Sequence, residues 1–332
     1  MTTKFADLKA KAHEEGAKAW RDGVATCPYA SSDLAQAWYA GWNEAQEWAV
    51  TENRIPAEDG VYADITDTVY HSDRHSLSSS GAKTILEPGG PAVLRWAPAK
   101  TSAAFDYGHA AHELVLGKGS GIAVVDAKDW RTKDAKAAQD AAHDAGKTPM
   151  LRKDYDRAVA LADAVKSHPL GEVLFAEGVA EQSIWAHDEL SGARIRCRPD
   201  WWVSSTFIDL KTATDPGRFD RAIEDYSYHL SAAYYLHVAR SIGVQVDSFI
   251  LIAVGKTSPF LVDVCELSSK DLSIGQELTR AAIDLFAHCQ RADTWPGLPA
   301  ELRTATLPDR IRYRADDAIQ RAANAITEGT RA

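Results

Sequence analysis

The chain has 332 residues, 45% of them hydrophobic and 25% charged, with a formal net charge of −10. This is a globular composition; no apolar run approaches the ~20 residues of a membrane span, and no basic segment followed by an apolar one opens the chain as a secretory signal would. One large domain or two unequal ones are expected, working in the cytoplasm without a membrane; Cys27, Cys197, Cys265 and Cys289 form no C-x-x-C pair, which argues against a zinc ribbon or an iron–sulfur cluster.

Residues 1–50 read as a small helical hairpin. Phe5, Leu8, Ala12, Gly16, Ala19, Trp20 and Gly23 recur at helical spacing. Cys27-Pro28-Tyr29 breaks that pattern, and a second helix runs from about Asp33 with Trp38 and Trp42 one turn apart. Residues 51–60, with Pro56 and Gly60, read as a linker. A mixed α/β region over 61–312 and a tail over 313–332 complete the expected division.

Within the large region, Ser102–Leu116, residues 127–146 and Lys153–Ser167 suit helices. Glu181–His187, Ile195–Val203 and Thr206–Lys211 are three strand-like runs, separated by Ser191-Gly192 and Ser204-Ser205. Arg218–Arg240 suits a helix. Val246–Val254 is continuously apolar, as a central buried strand would be, and Phe260–Leu267 is a further strand. Ser268 or Ser269 can cap a last helix running to about Cys289.

Asp200 and Asp209 fall on two successive strands joined by a tight turn, so their carboxylates can converge at one end of a sheet. Two carboxylates ~4 Å apart repel by roughly 4 kcal/mol at an effective dielectric near 20. A shared proton or a bound divalent cation relieves that repulsion, and hard oxygen donors favour magnesium or manganese. Lys211, two residues beyond Asp209, returns to the same strand face. An ammonium there can orient an attacking water and stabilise charge on a phosphoryl oxygen. D-x-K alone is common; P-D, eight intervening residues, then D-x-K on consecutive strands is far more specific.

Net charge argues against nucleic-acid binding on average, but binding depends on local field. Arg194, Arg196 and Arg198 alternate, which places them on one face of a strand. They are either a solvated sheet face or phosphate contacts.

These pieces resemble the PD-(D/E)XK nuclease superfamily, and in particular its RecE-like (exodeoxyribonuclease VIII) members. The resemblance spans about residues 58–312. It comprises G-V-Y-A-D-I-T-D-T-V-Y-H, L-S-S-S-G-A-K, Y-G-H-A-A-H-E-L-V-L-G, D-W-R-T-K and A-G-K-T-P-M-L. It continues with C-R-P-D-W-W, I-D-L-K-T, Y-H-L-S-A-A-Y-Y and T-W-P-G-L-P. The N-terminal strings G-A-K-A-W-R-D-G-V-A-T-C-P-Y and A-W-Y-A-G-W-N-E-A resemble ribosome modulation factor.

The resemblance implies an α/β restriction-endonuclease-like core, a mixed sheet flanked by helices, beside the N-terminal helical hairpin. His112, which alone on a half-apolar helix reads as structural, matches a metal-binding histidine. Asp200 and Asp209 match metal carboxylates, the Leu210 carbonyl a further ligand, and Lys211 the catalytic lysine. Glu181 matches an acidic position near the site. RecB-like relatives carry Q-x-x-x-Y on the following helix; here Tyr235 fits the tyrosine, but Ser231 stands at the glutamine position and cannot reach as far. Arg194, Arg196, Arg198 and Arg218 are expected on DNA phosphates along with Ser231 and Tyr235, with Lys83 and Arg95 as further candidates.

The implied activity is magnesium-dependent (manganese substituting) 5′-to-3′ digestion of linear double-stranded DNA by a homo-oligomeric ring, for recombination. The partner is a RecT-like annealing protein. The alternatives are a structure-specific or single-strand nuclease of the same superfamily, or a catalytically silent DNA- or ribosome-binding protein.

Overall fold

The computed structural model describes residues 54–97 and 104–329, with helical stretches at 10–15 and 34–38 and the single positions 8, 18 and 28. Ala12 and Trp38 in those stretches are buried. The rest of the expected hairpin, including Cys27 and Trp42, and residues 51–53 of the expected linker lie outside the described residues. Two compact units divide the chain, Met1–Gly297 and Leu298–Ala332. The second carries the helix Asp309–Gly329, which takes in most of the expected tail. Among the described residues no helix is long and apolar enough to cross a membrane.

The first unit opens with β1 (Gly60–Tyr62), α1 (Asp67–Ser72), β2 (Leu77–Ser78), α2 (Ser79–Leu86) and α3 (Gly90–Trp96). Helix α4 (Ala104–Leu116) leads to a parallel pair, β3 (Ile122–Val125) and β4 (Thr148–Leu151), with α5 (Lys133–Asp144) between them. Then come α6 (Arg152–Lys166), α7 (Pro169–Leu174), β5 (Val179–Ala180), β6 (Ser183–His187), β7 (Arg194–Cys197), β8 (Trp201–Val203) and β9 (Thr206–Ala213). Helices α8 (Phe219–Asp225) and α9 (Tyr228–Ser241) cross over to β10 (Ser248–Gly255), followed by β11 (Val262–Glu266) and α10 (Ser269–Ala292). Ser268 caps α10, its side chain accepting from the Asp271 N–H.

The central sheet has the order β11-β10-β9-β8-β5. Strands β9 and β10 are parallel, as a crossover through helices requires; their neighbours are antiparallel. Burial on both faces explains the unbroken apolar run of β10. Alternate residues feed two cores. Phe207, Leu251 and Ala253 join the cluster containing Ala82, Ile85 and Leu230 of α2 and α9. Ile208, Leu210, Ile252 and Val254 join Ala111, Val115 and Leu161 of α4 and α6.

Two expected elements are interrupted. The run 195–203 is not one strand: β7 belongs to a second sheet, ordered β1-β6-β7-β2, and β8 to the central one. The chain changes sheets at Arg198-Pro199-Asp200, where proline offers no N–H to continue a ladder. The preceding connection does the same at Glu181, which has a left-handed φ of 49° and donates its N–H to the Asp200 carbonyl at 3.1 Å. Both crossings therefore meet at Asp200. Likewise 218–240 is two helices, parted at Ser227, whose φ is 50°.

Candidate active site

Antiparallel pairing of Trp201 with Ile208 and Trp202 with Phe207 carries Asp200 opposite Asp209 at the end of the β8–β9 ladder. The Asp200 carboxylate accepts the Leu210 N–H at 2.7 Å. N–H and C=O of one extended residue point to the same strand edge, so the Leu210 carbonyl faces that way too. From α4, His112 brings Nε2 to 3.1 Å from Asp200 Oδ2, while its Nδ1 meets the Gly108 carbonyl at 2.8 Å. From β9 itself, Lys211 Nζ lies 2.6 Å from Asp209 Oδ2. His112 thus arrives from one face of the sheet. Asp209 and Lys211 share the alternation of Phe207 and so face the other.

The electrostatics follow from burial and proximity. Burial works against charge on Asp200, but His112, Lys211 and the Leu210 N–H overcome it and hold its carboxyl well below the usual range. Asp209 is pushed up, first by burial and then by the like charge of Asp200, against the pull of Lys211. Burial opposes charge on Lys211, yet the two carboxylates hold its ammonium protonated well above the usual range. His112 behaves the same way: burial is outweighed by Asp200, and its pKa is raised.

The donors fit a hard divalent cation. A carbonyl can only accept, so the Gly108 contact puts a proton on Nδ1 and turns the Nε2 lone pair of a neutral ring toward Asp200. Two acceptors so placed take up either a proton on Nε2 or a metal cation beside them. Asp209 and the Leu210 carbonyl stand at the same strand end. Among the described residues no three His, Cys, Asp or Glu side chains form a closed cluster. Carboxylate and carbonyl oxygens suit a hard divalent cation that keeps several of its waters.

The structure draws other expected residues into the fold. Arg196 is 5% exposed; its guanidinium donates to the Ser76 carbonyl, sits 3.7 Å from Asp73 and covers the Tyr70 ring. Arg194 donates to the Pro56 carbonyl. Arg198 lies past the end of β7, bound to Asp67 at 2.6 Å, Ser183 at 2.8 Å and the Ile65 carbonyl at 2.8 Å. The expected open face of three arginines is therefore corrected to a structural network, because each guanidinium is taken by protein oxygens. Arg218 is exposed, 3.7 Å from Asp215. Ser231 is buried against the Ser79 hydroxyl at 3.1 Å, an interior position rather than a DNA contact. Tyr235 packs edge-on against Phe249. Tyr234 is core, its hydroxyl donating to the Leu77 carbonyl at 2.6 Å. Glu181 stands at the sheet crossing beside Asp200, its carboxyl raised first by burial and then by Asp67. Arg95 packs over Trp96 and Trp295.

Two residues gain importance. Lys83 of α2 and Lys211 hold their ammoniums 5.1 and 5.7 Å from the ring centroid of Tyr228. Burial, against the pull of Asp209, lowers the Lys83 pKa to about 8. Lys83 was a lesser candidate in the sequence, and Tyr228 was only the first letter of Y-H-L-S-A-A-Y-Y. The cation-rich neighbourhood of its ring had no sequence signal.

The sequence model of the PDDEXK-like domain of unknown function (DUF3799) matches residues 92–303, well over half of the chain. The chain belongs to this family. His112, Asp200, Asp209 and Lys211 all fall inside the matched stretch. A solved structure of a candidate exonuclease from Eubacterium rectale superposes with a TM-score of 0.52 at 13% identity, covering 74% of this chain and 96% of that one. At that identity the likeness is one of fold, a PDDEXK-like core with helices flanking the sheet. A phage-related exonuclease from Haemophilus somnus 129PT aligns at 12% identity over 65% of this chain and 95% of its own, with a TM-score of 0.29 that carries no weight. No curated protein matches the chain.

Proposed function

We propose that this DUF3799 protein is a magnesium-dependent exonuclease acting on the ends of linear double-stranded DNA. The observation that carries the reading is the joint arrangement of His112 with Asp200, 3.1 Å apart, and of Lys211 with Asp209, 2.6 Å apart, at one strand end. Membership of a PDDEXK-like family and the fold shared with the Eubacterium rectale candidate exonuclease support it.

His112, Asp200, Asp209 and the Leu210 carbonyl would hold the ion, with manganese as a substitute. Bound there, it supplies Lewis-acid polarisation of the phosphodiester. The Gly108 carbonyl fixes the His112 tautomer and ring orientation. The Leu210 N–H fixes the rotamer of Asp200. Lys211 stays charged and, released from Asp209 as phosphate enters, donates to the attacking water or to a phosphoryl oxygen as negative charge grows. Lys83 adds a second cation at the same mouth. Glu181, beside Asp200, is placed to accept a proton from solvent. The 5′-to-3′ polarity, the ring, the RecT-like partner, the recombination role and cytoplasmic work belong to this same proposal. So does the separate N-terminal module.

Release of nucleotides from linear duplex with magnesium tests it, comparing the wild type with Asp209→Ala. Activity in the wild type, lost in the variant while DNA binding persists, is expected. Equal activity in both overturns the assignment. Cleavage of closed circles would replace an end-dependent enzyme with a structure-specific or single-strand nuclease.

A further inference from the structure

We infer that Tyr226, backed by Tyr228, forms a stacking ledge for a nucleobase of the strand being cut. The inference rests on the nuclease reading above and names a substrate contact within it.

Tyr226 is 61% exposed, a large ring left in solvent between two helices. Its ring lies near-parallel to that of Tyr228, with centroids 5.7 Å apart and planes at 27°. Tyr228 stacks in turn on Phe219, at 5.8 Å and 30°, and Phe219 is 3% exposed. The three rings form a series anchored in the core and ending in water. Ser227 makes the series possible. Its left-handed backbone (φ 50°, ψ 49°) breaks the helix between the two tyrosines and brings residues 226 and 228 together. That conformation is one that residues with a Cβ adopt rarely.

The position of the ledge selects its ligand. The Tyr228 ring lies 5.7 Å from the Lys211 ammonium and 5.1 Å from that of Lys83. A phosphate drawn to those cations carries its own base, and the exposed face of Tyr226 is the aromatic surface beside it. A base has a π face whatever its identity, so such a ledge is sequence-tolerant. A base that stacks there must leave its partner strand, which costs least at an end or a mismatch. The ledge therefore favours frayed termini, in keeping with an end-dependent enzyme.

The test measures binding of the full chain to linear duplexes, with calcium replacing magnesium. The terminal nucleotides either carry their bases or are abasic. The wild type and Tyr226→Phe should bind the abasic ends roughly 5- to 150-fold more weakly, the loss of one base–aromatic contact. In Tyr226→Ala that ratio should fall to about one. An unchanged ratio in Tyr226→Ala, or a ratio near one in the wild type, overturns the ledge. A change in sedimentation of Tyr226→Ala with an unchanged ratio overturns it in favour of a contact between copies. Nucleotide release by the wild type with magnesium is scored separately. If it occurs without base discrimination, the ledge fails and the nuclease stands. Discrimination without release sustains the ledge and removes the nuclease. Absence of both overturns the two together.

Discussion

His112 Nε2 faces Asp200 Oδ2 at 3.1 Å because the Gly108 carbonyl, 2.8 Å from Nδ1, holds the ring in place. A proton on Nε2 and a divalent ion are therefore competitors for the same lone pair. The His112 pKa is raised: burial lowers it, but Asp200 more than compensates. Magnesium affinity should accordingly weaken as pH falls through the titration of His112. Isothermal titration in buffers of different ionisation enthalpy should show proton release on magnesium binding. His112→Asn should abolish that release and raise the half-saturating magnesium by about 10- to 100-fold, the scale of other disturbed metal shells.

Lys211 sits 2.6 Å from Asp209 and is held charged. Lys211→Met should slow cleavage by roughly 100- to 1000-fold, the usual cost of one preorganised donor, with little change in KM. It also removes a cation beside the facing carboxylates of Asp209 and Asp200. The metal-free variant should melt lower than the wild type, and magnesium should raise its melting temperature more. A variant whose rate matches the wild type would remove Lys211 from the chemistry.

Arg196 is enclosed with Asp73, which also accepts from Ser76 and from Trp185 Nε1 at 2.9 Å. Arg196→Met leaves that carboxylate buried without its counter-charge. The expected loss is about 3–5 kcal/mol of stability, measured by denaturant unfolding. The salt dependence of DNA binding should not change, because a guanidinium occupied by the fold releases no counterions from DNA. A slope reduced by about one would restore Arg196 as a phosphate contact.

Asp188 ties the β6–β7 turn to α9 and α10. It accepts from both Arg280 nitrogens at 2.8 and 2.9 Å, from His237 at 2.8 Å and from the Ser191 hydroxyl at 2.6 Å. Burial opposes its charge, but Arg280, Ser191 and His237 prevail and depress the carboxyl far below its ordinary value. A depressed folded pKa contributes stability above the unfolded value of ~3.9, and that stability is lost as pH falls toward the folded value. Asp188→Asn should cost about 3 kcal/mol at pH 7, the low end for a buried pair because Arg280 is 28% exposed. The difference from wild type should narrow steadily below pH ~4. A gap constant from pH 7 to pH 2 would exclude the charge as its source.

The elements of the core were largely legible. Alternation and turn residues placed β6, β9 and β10 within a few positions, and Ser268 capped α10 as a serine before an amphipathic run should. Local pattern did not reveal that Pro199 moves the chain from one sheet to the other. A missing N–H ends a ladder, but which sheet receives the next strand depends on partners distant in sequence. The arginines failed for a related reason. Alternation gives a side chain's face, whereas the carbonyls of Ile65 and Ser76 and the carboxylates of Asp67 and Asp73 that take up Arg196 and Arg198 come from other elements.

Asp200, Asp209 and Lys211 could be paired from spacing alone, since a short hairpin and a two-residue strand repeat fix which side chains share an end. The carboxylates and the lysine of the candidate site are in that sense written locally. His112 lies 88 positions from Asp200 and enters from the opposite face of the sheet, so its Nε2 contact exists only through the packing of α4. The Tyr226–Tyr228 pair depends on the left-handed turn at Ser227, which a helical pattern running through 218–240 conceals. Covalent spacing sets the chemistry a strand end can offer; long-range packing, whose free energy is shared over many contacts, sets what surrounds it.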